Sequence, residues 1–316
     1  MKYRFICAIF NLGLEKDEAK ITLPSGYISN EKSLLSETFE NDLSLATLGL
    51  HSSDEIRDAK VYYVIDGDFG NEVTQEEADT FGTSLTLAYL RQIQLYIARL
   101  WTLRDNCVYV RDGFLYTYTN CIADGCTFKA SVSSVDTLAN GEQKVIAFTD
   151  SELAAIGKDM VEITLDEVRA GKDFYHETQY QYYKGSGISK KELGIMYVRM
   201  ARSAGAVPMK LLLYCTAMES LVANTTTELS HRVAERVAVL IGRNCEERCD
   251  IYTTVKKGYD TRSKVAHGDS IKGDEESLAQ CSVKIDTYLR RLLELDEPYE
   301  IEKVKIDQYY LEKLMS

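Results

Sequence analysis

Residues 209–242 read "MKLLLYCTAMESLVANTTTELSHRVAERVAVLIG". Apolar residues crowd both halves of the stretch, and a polar run from Asn224 to Glu228 separates them. Apolar side chains recurring every three to four residues mark helices, so two helices are predicted, over 208–224 and 228–242. Pro208 suits the first turn of the former, where an amide hydrogen has no intrahelical partner to lose. Working outward, the same periodicity covers 189–204, 246–262 and 274–294. Ser189 and Glu192 have capping-box spacing, and the charged tail beyond Pro298 is expected to end in a short helix. The chain from 189 to 316 is therefore predicted to be all-α.

Upstream the pattern changes. "YRFICAI" (3–9), "AKITL" (19–23), "KVYYVIDG" (60–67) and "CTFKASVSS" (126–134) are β-branched and aromatic runs, with turn residues such as "LPSG" between them, and they read as strands. Residues 75–101 form one long helix with a broad apolar face of Leu85, Leu87, Leu90, Ile93, Leu95, Ile97 and Leu100. "CVYVRDGFLYTYTN" (107–120) places Asp112-Gly113 between two strand-like runs, a hairpin signal. An α+β region thus occupies 1–150. Residues 151–188 hold one helix, capped by Ser151, and a Tyr-rich linker that includes His176. The α+β region carries no P-loop, dinucleotide fingerprint or nucleophile elbow, so a recognition or regulatory role, binding a trigger or regulator, is expected for it.

Bulk properties narrow the function. Hydrophobic residues make up 45% and charged residues 27% of the 316, the balance of a folded soluble protein. No apolar run approaches the roughly 20 residues that span a bilayer. The opening "MKYRFICAIFNLGLEKDEAK" reads as a strand rather than a signal peptide, so a cytoplasmic location and no membrane partner are expected. A net charge of −12 disfavours coating of nucleic acid, which needs clustered Lys and Arg, and leaves room only for a local contact. Of the eight cysteines, Cys121/Cys126 and Cys245/Cys249 are the close pairs. They lie more than 100 residues apart, unlike the paired knuckles of a zinc site. No metal and no cofactor are expected.

One short stretch carries chemistry. "YDTRSKVAHG" (259–268) sets Arg262 and His267 five residues apart. Both could simply place positive charge at a helix C-terminus. Alternatively, histidine shuttles protons near neutrality and arginine grips phosphate oxygens with a planar fork, the two requirements for cutting RNA without a metal. Five residues of helix advance about 140° beyond a full turn, so the two would not share a face. Either His267 leaves the helical path near Gly268, or the site is assembled from two subunits. Glu219, within the apolar helix, needs a cationic partner if buried, with Arg232, Arg236 and Arg262 as candidates. Tyr259 suits core packing or base stacking, and Lys256, Lys257 and Lys264 could supply a local positive field.

The blocks "AMESL", "HRVAERVAVLIG" and "RSKVAHG", in this order over 208–268, resemble the HEPN superfamily, most closely its ApeA-like branch. The resemblance implies an antiparallel bundle of four or five helices that dimerises. It further implies metal-independent RNA cleavage by Arg262 and His267, in members that serve bacterial antiviral defence or act as toxins, with tRNA or mRNA as targets. Ser263, Glu219, Tyr259, Lys264 and Arg236 are then supporting residues. Active members often carry Asn, Asp or His where this chain has Ser263. That difference points to the alternative of a weak or inactive module that binds a nucleotide or a protein partner.

Overall fold

The computed structural model describes the chain apart from residues 71–72, 173–186, 225–226, 272, 297–298, 300, 302–304 and 316. The Tyr-rich stretch and His176 therefore lie almost wholly outside the described residues. The chain divides into two compact units: Met1–Val135 with Lys144–His176, and Asp136–Gln143 with Glu177–Ser316.

The first unit is built on a six-stranded sheet in the order β3-β4-β5-β1-β6-β7. The strands are β1 (Lys2–Ala8), β3 (Lys20–Leu23), β4 (Gly26–Ser29), β5 (Tyr62–Asp68), β6 (Asp112–Tyr118) and β7 (Cys126–Ser131), all paired antiparallel. Both faces of β1 are covered. Phe5 and Cys7 join the core under α3 (Gln75–Leu100), while Ile6 and Ala8 join the core under α1 (Ser33–Phe39) and α2 (Asp42–Ala59). A strand buried on both faces reads as a continuous apolar run, which is why "FICAI" shows no polar alternation. A small parallel pair, β2 (Leu12–Leu14) with β8 (Ile146–Phe148), completes the unit's sheets.

Three expectations for this unit are corrected. Asp112-Gly113 is not a hairpin turn but the first two residues of β6, where Gly113 faces Cys7 and Ala130. A Cβ there would come within 2.8 Å of Phe5 Cε2, so the glycine serves close packing. The helix predicted from 151 is two: α4 (Asp150–Gly157) and α5 (Leu165–Arg169). Their capping boxes start at Thr149 and Thr164, so Ser151 is not the cap. Leu153 and Val168 of these helices enter the α3 core, so both belong to the first unit.

The second unit is mostly helical: α6 (Lys190–Ser203), α7 (Val207–Val222), α8 (Leu229–Ile241), α9 (Cys245–His267), α10 (Glu275–Leu293) and α11 (Ile306–Met315). Ser189 caps α6 through the expected box with Glu192, and Pro208 lies in the first turn of α7. Successive helices from α6 to α10 run antiparallel. Gly194 packs on Leu221; His231 meets Tyr252 and Ser230 meets Lys256; Asp250 meets Lys284 and Tyr288. Consequently α7 and α9 run in the same direction. Helix α7 is apolar nearly all round and sits at the centre, with Leu211, Tyr214, Cys215, Met218 and Leu221 fully buried.

Asp136–Gln143 belongs to this helical unit. The buried Arg202 pairs with Asp136 at 3.1 Å. The ammonium of Lys210, fully buried, donates to the carbonyls of Ala201 (2.9 Å), Arg202 (3.1 Å) and Thr137 (3.3 Å). No described helix is long and apolar enough to cross a membrane.

Candidate functional site

The parallel course of α7 and α9 decides which arginine meets Glu219. Tyr259 on α9 lies beside Cys215 on α7, donating its hydroxyl to the Cys215 carbonyl at 3.4 Å. One turn further along both helices, Arg262 meets Glu219. Its Nη2 lies 3.1 Å from Oε1 and donates to Oε2 at 3.3 Å. The shorter approach lacks hydrogen-bond geometry, so Oε1 is buried without a hydrogen bond. Glu219 is 18% and Arg262 32% exposed, so the carboxylate is the more sheltered partner and the guanidinium keeps an open side.

Beneath this pair, burial, the neighbouring Cys215 thiol and the Glu219 carboxylate hold the Tyr259 phenol well above its ordinary range. At 5% exposure the Tyr259 ring is core and offers no open platform for a base. Ser263 is exposed and Lys264 half-buried on the same helix. Lys256 donates to Ser230 at 3.0 Å and Lys257 to the Ser277 carbonyl at 3.3 Å, so each has a partner within the bundle.

His267 is the last residue of α9 and is exposed. Gly268 follows in the left-handed region (φ 74°), and the Asp269 amide donates back to the Lys264 carbonyl at 2.9 Å. This is a Schellman-type stop that seals the helix end. It corrects one expectation: His267 does not leave the helical path, because the helix is regular through it. Arg262 and His267 therefore stand about 140° apart around one rigid helix and roughly 7.5 Å apart along it. A single copy of α9 does not bring them together.

Arg236 is not part of this arrangement. It is buried on α8, donating to the Val222 carbonyl and to Asp307 at 2.6 Å each, with its guanidinium 4.6 Å from the Tyr310 ring centre. It clamps α11 onto α8. His231 bonds the Tyr252 hydroxyl at 2.8 Å. Of the expected site residues, the structure brings together Arg262, Glu219 and Tyr259 and leaves Arg236 elsewhere. Comparison of the chain with protein-family models, curated proteins and solved structures returns no match.

Proposed function

We propose that the helical unit is a HEPN-type endoribonuclease that acts as a homodimer, with two copies of α9 meeting so that Arg262 and His267 of both line one cleft. The observation that carries this reading is the rigid presentation of both groups on α9: Arg262 steadied by Glu219, and His267 exposed at a sealed helix end. Their separation around the helix favours a site completed by a second copy. In that site the 2′-hydroxyl of RNA attacks the adjacent phosphorus. One copy of His267 takes the hydroxyl proton and the other returns one to the departing 5′-oxygen. The Arg262 fork holds the non-bridging oxygens as their charge grows. The products carry a 2′,3′-cyclic phosphate and a 5′-hydroxyl. A defence or toxin role fits this chemistry, with the sheet-based unit as the sensor of a trigger.

The test is RNA cleavage by the full chain in EDTA, with end-group analysis. Cleavage should survive chelation and stop when the cut nucleotide is 2′-deoxy. It should fall by at least ~10²-fold in His267→Ala, the usual scale for a lost acid–base group. Activity that persists in His267→Ala removes the reading. The second reading, a module that binds a nucleotide or a protein partner without cutting, is favoured by the Arg262–Glu219 pair, which occupies part of the guanidinium, and by the net charge of −12.

A further inference from the structure

Helix α9 opens with two cysteines, Cys245 and Cys249, one turn apart. Both are exposed and neither is in a disulfide. On a regular helix this spacing brings two side chains onto one face, with Cα atoms about 6 Å and Cβ atoms about 5–6 Å apart. The turn that carries them is pinned in place. Asn244 accepts from the Glu247 amide at 2.9 Å, Glu247 accepts from the Arg243 amide at 2.7 Å, and Arg291 of α10 donates to Glu247 at 2.8 Å. The neighbouring Cys245 sulfur pushes the Cys249 thiol above the ordinary thiol range, as expected of two sulfurs side by side. A direct disulfide does not fit this spacing, since it needs Cβ atoms about 3.5–4.5 Å apart. One further atom between the sulfurs closes the difference.

We infer that Cys245 and Cys249 form a dithiol site for a monosubstituted trivalent arsenical, held by one arsenic–sulfur bond to each residue. The donor set selects this class. Among the described residues no group of three or more His, Cys, Asp or Glu is placed to hold a metal ion, so the site offers two sulfurs and no further ligand. Zinc, which takes four ligands, is left short there. A soft centre that needs only two protein sulfurs is complete. The bonding step conserves oxidation state. An arsenical oxide and two S–H groups give two As–S bonds and one water, the two thiol protons leaving on the arsenical's oxygen, with no oxidant or reductant. Chelation supplies the tightness, because the second sulfur attacks intramolecularly once the first is bonded. The bridge spans the first turn of α9 without unwinding it. Arg262 lies seventeen residues further along, roughly 25 Å away, so this inference stands or falls apart from the ribonuclease reading.

The test is titration of the full chain, reduced and then freed of reductant, with phenylarsine oxide, read by intact-mass spectrometry under native conditions. Cys7, Cys107, Cys215 and Cys281 are buried, whereas Cys121 is exposed and Cys126 half-buried. A Cys121→Ser background therefore removes the other accessible pair. In that background one adduct per chain should form, survive an excess of the monothiol β-mercaptoethanol, and be removed by the dithiol dithiothreitol. Adding Cys245→Ser or Cys249→Ser should weaken its retention by at least ~10²-fold, the scale of a lost intramolecular contact. Amide exchange over the first turn of α9 should slow in the adduct. An adduct retained equally after Cys245→Ser, lost to the monothiol, or accompanied by faster exchange along α9 overturns the inference. So does a Cys245–Cys249 disulfide formed by mild oxidant with exchange protection unchanged, because the two sulfurs would then need no bridging atom.

Discussion

Arg262 is a charge that already has a counter-charge, and this shapes what its neighbours do. Glu219→Gln keeps the shape of the pair and removes the attraction. Because both groups are partly exposed, the stability loss should be modest, about 1 kcal/mol. A double-mutant cycle with Arg262→Ala in urea should show coupling of similar size, and additive losses would mean that the pair does no structural work. Gly268→Ala places a side chain at φ 74° and should cost ~1–2 kcal/mol. The cost should appear locally, as faster amide exchange over the last turn of α9, where His267 sits. The residue types of the proposed site were legible in the sequence; the partner of Glu219 was not. Three arginines were eligible, and only the parallel course of α7 and α9, a property of the bundle, sets position 219 beside 262 and leaves 232 and 236 on α8.

At the level of elements, α11 depends on one buried cation. Arg236 reaches the Val222 carbonyl, Asp307 and the Tyr310 ring together. Arg236→Ala should free residues 306–315, read as loss of exchange protection there while α7 and α9 keep theirs, at about 3–5 kcal/mol. Asp307 is 68% exposed, so Asp307→Asn should cost much less. In the sheet, burial pushes the phenols of Tyr62 on β5 and Tyr116 on β6 up to about 12. Above pH 10 the unfolded chain releases these protons while the folded chain retains them. Stability is thus intact below pH 10 and falls as the pH climbs towards 12. Tyrosinate absorbance should then rise together with unfolding, and tyrosines that titrate freely before unfolding would contradict their burial. Long helices with an apolar stripe were readable from periodicity. Helices α1 and α2 were not. Their stretch is rich in Ser, Asp and Glu, and Gly49 (φ 70°) breaks the pattern midway. The Asp112-Gly113 signal misled because it is a statement about turns, whereas Gly113 answers to Phe5 on the neighbouring strand.

For the molecule as a whole, the proposed activity requires a homodimer, and light scattering at micromolar concentration should report twice the 35.7 kDa chain mass. A monomer would leave Arg262 and His267 on separate sides of one helix. Periodicity marks out 189–316 as an all-α segment, which would make it a self-contained bundle. The structure argues otherwise. A 189–316 fragment lacks Asp136 and the Thr137 carbonyl, which satisfy the buried Arg202 and Lys210. A buried charge stripped of a partner costs ~3–5 kcal/mol, so this fragment should melt far below the full chain or aggregate. Adding the 136–143 peptide in trans should raise its melting temperature.

That eight-residue crossing also bears on how the protein is made and inherited. Asp136–Gln143 leaves the ribosome well before α6 and α7, so it must wait, unpaired, through the synthesis of α4 and α5 until Arg202 and Lys210 arrive. The sheet-based unit in turn closes only after the crossing has passed, because α4 and α5 follow it. The two halves are thus interleaved in time as well as in sequence. A recombination event that transplanted the helices as a contiguous cassette would leave their missing strip behind in the donor gene.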